Sequence, residues 1–200
     1  RTIRRKNRPA HGPRSARTQR RAPAPNRIGS GGWSAIPSRG VVDNPQPGDY
    51  AGLPLRAGAL RRAEIWDPEI ETLPVWQCRP PSGSALRLGM PRMRIWKQVD
   101  PATGDLIAFR ATSLRSLNLP IYMDGRPHPP RHARHTWTGF STGEWVGNVL
   151  KVRTTHLKEA YYRRNGVPQS DLAQFSEFLI HRSFRGRDYL TWVVVAEDPV

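Results

Sequence analysis

TWTGFSTGEWVGNVLKVRTTHL, residues Thr136–Leu157, decides the fold class. Inside it, Gly139-Phe140-Ser141-Thr142-Gly143 spells G-x-S-x-G, the pattern of a hydrolase nucleophile elbow. An elbow needs a strand before the serine and a helix after it, on an open parallel sheet. Here Ser141 is followed by Gly143, Trp145, Gly147 and then a Val/Leu run, so no helix can begin. Leu150, Val152, Thr154 and His156 alternate with Lys151, Arg153 and Thr155, the period of a half-buried strand with its polar face in water. With Val146-Gly147-Asn148 as the turn, the stretch is a β-hairpin. Its glycines serve positive φ or close strand approach, and Ser141 is not expected to attack a carbonyl.

The same alternation extends both ways along the chain. RMRIWKQV and DLIAFRAT flank Asp100-Pro101-Ala102-Thr103-Gly104, which is turn chemistry for a second hairpin. NLPIYMDG predicts a further strand ending at Asp124-Gly125, and RPHPPRHARH after it is a loop whose prolines forbid a central strand. AQFSEFLIHR and YLTWVVVAED, joined by SFRGRD, complete six or seven strands. Leu53–Trp66 predicts a helix, with Pro54 in its first turn and Asp67-Pro68 ending it, and LKEAYYRRNG a helical turn stopped by Gly166. The expected fold is mainly β: an antiparallel meander forming a sandwich or partly closed, lipocalin-like barrel, with one or two short helices.

The net charge of +16 is unevenly placed. Residues 1–39 hold eleven Arg or Lys and no acid, so 21 of the 32 basic residues face all 16 acids in the remainder. Residues 1–30 are rich in Arg, Pro, Ala and Gly, and are expected to be a disordered basic tail ahead of a single β-rich domain over 31–200. Such a tail is either a polyanion-binding arm or translated upstream DNA outside the working protein. No aromatic residue interleaves its charges to stack on bases, which favours the second reading; nucleic acid is not expected as a partner except through the tail. No run approaches the roughly 18 apolar residues of a membrane span. Cys78 is the only cysteine, which excludes an internal disulfide and reads as a small buried hydrophobe.

Three sets of residues could carry chemistry. His128, His132 and His135 lie close together near Asp124, and imidazoles with a carboxylate can hold a borderline metal. Their spacing matches no metal signature, however, and two prolines separate the first pair, so neither a metal nor another cofactor is expected. Asp124 or Glu144 with His128 or His135 could serve as an acid–base pair. Glu177 shares a strand face with Phe175 and Leu179. An inward carboxylate there needs an Arg or His partner, and a buried ion pair is the simpler expectation. The seven tryptophans, Trp137 and Trp145 among them, read mainly as core fillers and secondarily as the lining of a pocket for a flat or greasy ligand.

Together these motifs resemble a family. IYMDGRPHPP, then HTWTGFSTGEWVGNVLKVRTTHL, RRNGVPQSD, Ser176-Glu177 and LTWVVVAEDP are similar to a large family of uncharacterised exported bacterial proteins. Its marks are a DGRPHP loop and a G-x-S-x-G-x-W-E-G-D-T-L-V-V hairpin, and the likeness spans roughly residues 31–200. GGWSAIP and GDYAGLPL resemble the family's opening, and Gly31-x-Trp33 is similar to the G-x-W that opens lipocalin barrels. Carried onto this chain, the motif residues are Asp124, Gly125, Arg126, Pro127, His128, Trp137, Ser141, Gly143, Trp145, Gly147 and Glu177. The chain departs at Val146, Asn148 and Lys151, where the family has Glu, Asp and an apolar residue. The resemblance implies a periplasmic or secreted location, and a chain that stops short at Val200 where its relatives continue.

The expected function is that of an exported protein binding a small apolar or aromatic molecule beside the DGRPHP loop. Arg126 would pair an anionic group, His128 would hydrogen-bond, and Trp137, Trp145 and Glu177 would complete the site. The alternatives are a hydrolase or isomerase built on the acid–base residues, and polyanion binding by the tail. Oligomeric state is open at this point.

Overall fold

The computed structural model describes residues 28–34, 45–50, 52–71, 83, 87, 92–113, 118–163 and 165–200. The basic tail over residues 1–27, Trp76 and Cys78 lie outside the described residues. Ile28 is fully buried in the core, so the packed part of the chain includes residues just ahead of position 31.

The fold is mainly β. Eight strands form one sheet: β1 (Gly31–Ser34), β2 (Arg92–Val99), β3 (Leu106–Ser113), β4 (Asn118–Tyr122), β5 (Phe140–Val146), β6 (Val149–Thr155), β9 (Gln174–Phe184) and β10 (Arg187–Glu197). Their spatial order is β1-β2-β3-β4-β5-β6-β9-β10, and the sheet curls into a nearly closed barrel. Across the seam Trp33 of β1 meets His181 of β9 edge to face, 6.1 Å between ring centroids. The remaining strands, β7 (Ala160–Tyr161) and β8 (Pro168–Gln169), make a separate two-stranded ribbon.

Alternation sorts the long strands of the sheet into an inner and an outer face. Ile95, Phe109, Ala111, Leu119, Ile121, Leu150, Val152 and Leu179 form the core, with Trp33, Trp145, Leu190 and Trp192 packed against it. The strand pattern therefore follows the hydrophobic alternation of the sequence closely.

The chain departs from the expected antiparallel meander at one junction. β4 and β5 run parallel, with Ile121 opposite Ser141 and Tyr122 opposite Thr142. Parallel neighbours need a crossover of about a dozen residues, because the chain must return to the end it left. Residues 123–139, which contain the DGRPHP stretch, are that crossover. Pro120 is compatible with this strand because the Met123 N–H points to Ile107 of β3, so the Pro120 nitrogen points the other way. There β5 pairs only from Ile121 onward, and no ladder bond is lost.

Two local expectations are corrected. The segment after Leu157 is not a helical turn: Ala160 and Tyr161 pair with Gln169 and Pro168. The helix α1 (Ala57–Glu64) starts later than Leu53, and Pro68 opens a second short helix, α2 (Pro68–Glu71). The Asp67 carboxylate accepts from the Glu69 N–H at 2.8 Å, so the Asp-Pro pair starts a helix rather than merely ending one. Trp66, just past α1, packs on Tyr161 of the ribbon, ring centroids 5.7 Å apart.

Candidate functional site

The G-x-S-x-G serine points into the barrel. Ser141 is 0% exposed and sits between inward Leu150, Val152 and Thr154 of β6 and inward residues of β4. Its hydroxyl lies 2.7 Å from Thr154 Oγ1, and Thr154 Oγ1 donates to Glu177 Oε1 at 2.6 Å. Because the only Thr154 hydroxyl proton goes to the carboxylate, Ser141 must donate to Thr154. Arg87 Nη2 donates to both hydroxyls, at 3.3 and 3.1 Å, and Arg87 Nη1 donates to the Gly83 carbonyl at 2.8 Å. Arg87 Nε stands 2.9 Å from Glu177 Oε2, a charge contact whose N–H is not aimed along it. Trp192 Nε1 donates to the same oxygen at 2.8 Å.

Both side chains of the Arg87–Glu177 pair are 0% exposed. A buried ion pair is tolerable only when its remaining donors and acceptors are satisfied, and this one is surrounded by partners on β5, β6 and β10. The inward Glu177 thus has the Arg partner its strand position demanded. Ser141 is 0% exposed, and among the described residues no imidazole touches it to act as the base of a serine nucleophile.

Gly139 and Gly143 each answer to a spatial need. Gly139 has φ +73°, and a Cβ there would lie 2.7 Å from the Thr155 carbonyl oxygen. At Gly143 a Cβ would lie 2.8 Å from Met123 Sδ and close to Ile121 Cγ2 and Leu150 Cδ1, side chains of the packed inner face.

The crossover lies on the outer face, where β5 and β6 present Thr142 and Thr155. His128 bonds both: Nδ1 to Thr155 Oγ1 and Nε2 to Thr142 Oγ1, each at 2.8 Å. His156 continues the chain, with Nδ1 2.7 Å from Thr155 Oγ1 and Nε2 2.9 Å from the Pro130 carbonyl oxygen. One end fixes every proton. A carbonyl only accepts, so His156 Nε2 carries hydrogen and, in the neutral ring, Nδ1 accepts from Thr155. Thr155 has then spent its one proton, so His128 Nδ1 donates to it and His128 Nε2 accepts from Thr142. The order is Thr142 to His128 to Thr155 to His156 to Pro130. His156 was expected on the inner face with Leu150; it leaves the alternation because its φ of 58° ends β6 and turns the ring toward the loop.

Burial holds the His128 pKa below its ordinary value, with the positive charge of Arg153 and the neighbouring His156 adding to the effect. The unfolded chain therefore takes up a proton at higher pH than the docked loop. The hold is complete above about pH 6.5 and weakens as pH falls from there through the folded value. An NMR titration of the His128 ring should give a midpoint below about 6.5. Urea midpoints should fall in the same window. A midpoint at or above the ordinary value would remove this account.

At the start of the crossover, Arg126 pairs with Asp124 through Nε at 2.9 Å and through Nη2, and its guanidinium lies 3.9 Å above the Tyr122 ring. The hydrogen bonds from Arg126 hold the Asp124 carboxyl below the usual carboxylate range. Tyr122 packs on Phe140 with ring centroids 5.2 Å apart, and His128 meets Phe140 edge-on at 5.3 Å.

The sequence candidates thus divide between two faces of one sheet. Asp124, Arg126 and His128 gather outside with Tyr122, Phe140 and Thr142. Trp145 packs inward on Phe109 and Glu177 is inside with Arg87. Glu144 is an exposed outer residue whose ion pair is with Lys151, 3.9 Å away. His135 Nδ1 donates to the Leu157 carbonyl at 2.9 Å, its ring 5.1 Å from that of His156, while His132 is exposed. Trp137 lies under the Lys158 ammonium at 4.8 Å. Among the described residues no three His, Cys, Asp or Glu side chains come together as metal ligands.

Arg87, Thr142, Thr154, Thr155 and Tyr122 were not singled out by sequence. Only Thr154 left a legible trace, as a polar residue at an inward position of an apolar strand. No model of a known family, no curated protein and no solved structure matches the chain.

Proposed function

We propose that this is an exported binding protein whose ligand site is the outer shelf formed by Tyr122, Arg126, His128 and Phe140. The ligand class is a small flat aromatic molecule bearing an anionic group. One observation carries the reading. Asp124 occupies Nε and Nη2 of Arg126, Nη1 has no partner among the described residues, and the guanidinium carbon lies 3.9 Å from the centre of the Tyr122 ring, beside a second aromatic ring. Nη1 can take a carboxylate while the Tyr122 and Phe140 rings take the aromatic body. His128 supports the shelf rather than reaching for ligand, since threonine hydroxyls take both its nitrogens. Trp145 and Glu177 are assigned to the core. The exported location rests on the family resemblance.

NMR titration with aromatic carboxylates and their uncharged amides tests the reading. Carboxylates should shift the signals of Tyr122, Arg126 and Phe140, and Arg126→Ala should weaken binding by about ten- to a hundredfold, the worth of a charge-assisted hydrogen bond. Equal response to the amides, or shifts confined to another face, would count against it. The acid–base alternative has less support. Among the described residues no carboxylate hydrogen-bonds or ion-pairs with His128 or His135, and Asp124 is engaged by Arg126.

A further inference from the structure

We propose that β10 is a dimerisation edge, pairing antiparallel with β10 of a second copy of this chain about a two-fold axis. β10 runs for eleven residues and, among the described residues, hydrogen-bonds to no strand but β9. The opposite edge of the sheet, β1, is four residues long and, among the described residues, pairs with β2 alone, so it does not pair with the eleven-residue β10. Proteins usually protect such an edge with Lys, Pro, a bulge or brevity. Tyr189–Ala196, YLTWVVVA, has none of these, and its pairing with β9 runs without a register shift. On its outer face Val193 and Val195 are 43% and 47% exposed.

The hairpin turn shows which backbone groups are free. Arg185 and Gly186 form a two-residue turn with φ of 49° and 72°, so the flanking pair Phe184 and Arg187 bond each other. Alternation then directs the N–H and C=O groups of Arg187, Tyr189, Thr191, Val193, Val195 and Glu197 to β9. Those of Asp188, Leu190, Trp192, Val194 and Ala196 point to the open edge. A two-fold axis at Trp192 is consistent with that ladder, because Trp192 of each copy can exchange both bonds with the other.

That register also uses the whole strand. It sets Thr191 against Val193 and Tyr189 against Val195 on the outer face. At each end it sets Arg187 opposite Glu197, so the charges complement twice. Neither residue has an ion pair within the chain among the described residues. An isologous interface must be complementary to itself, and this strand is, in apolar pattern, ladder and charge.

Sedimentation equilibrium and light scattering on the full chain test the pairing across a concentration series. The expected species has twice the 22.7 kDa of the monomer. Glu197→Lys should weaken the dimer at least tenfold by placing like charges together. Adding Arg187→Glu to it should restore the dimer, since the exchanged pair again complements. Both changes are at exposed sites, and an unchanged near-ultraviolet circular dichroism spectrum confirms the fold. Amide exchange at Leu190, Trp192 and Val194 should slow as concentration rises. A monomer at every concentration into the millimolar range overturns the proposal, and leaves the edge to an extended segment of another protein. A dimer indifferent to both the reversal and the exchange overturns it equally, because association would then use another surface.

Discussion

Glu177→Ala should lower the unfolding free energy by about 3–5 kcal/mol, the cost of leaving a buried charge without its partner. The remaining Arg87 guanidinium would sit 0% exposed against Phe175, facing two hydroxyls that cannot neutralise it. Trp192 Nε1 would lose its acceptor, and Thr154 the group that takes its proton. Since small domains are stable by only about 5–15 kcal/mol, the variant should be near its folding limit at ambient temperature. Arg87→Met combined with Glu177→Leu should recover much of the loss, because removing both charges also removes their desolvation cost. Recovery should be incomplete: Ser141 and Thr154 keep each other, but the indole N–H stays unpaired. Urea unfolding followed by tryptophan fluorescence measures all three proteins. A loss under about 1 kcal/mol for Glu177→Ala would mean that water reaches Arg87 and that the interior is not closed there.

Gly139→Ala should be the second large loss, about 3 kcal/mol, combining left-handed backbone strain with overpacking. The φ of +73° penalises any Cβ, and the added carbon would meet the Thr155 carbonyl oxygen, Thr154 Cγ2 and Leu157 Cδ2 within 2.9 Å. The carbonyl belongs to the last residue of β6, so it cannot yield without disturbing the Thr154–Thr155 ends of both polar networks. Gly147→Ala is the control. Its φ is +58° but nothing lies within 4 Å of a Cβ, so only the strain of about 1–2 kcal/mol remains. Equal losses at the two positions, read from urea midpoints, would show that crowding contributes nothing at Gly139.

Alternation carried most of the fold. RMRIWKQV coincides with β2, and Leu150, Val152 and Thr154 face inward as their spacing required. Period-two patterning reports burial directly, because each strand residue has one of two faces. Glu177 was legible for the same reason: its position between Phe175 and Leu179 demanded a cationic partner. The identity of that partner was not, because Arg87 is distant in sequence and no local pattern links it to β9. The ribbon of Ala160–Tyr161 with Pro168–Gln169 was missed because two-residue strands are too short to show a period.

The sequence by itself determined the class of fold, the positions of the long strands and the turn at Val146–Asn148. These follow from side-chain periodicity and turn chemistry, which act over a few neighbouring residues. Tertiary structure alone decided that β4 and β5 are parallel, and hence that the DGRPHP stretch must cross the barrel and dock outside it. That choice placed Asp124, Arg126 and His128 on the outer face, away from the side to which alternation had already turned Trp145 and Glu177. Strand pairing is a contest among long-range contacts whose closure entropy and buried area depend on the whole sheet. No single stretch of residues carries that information.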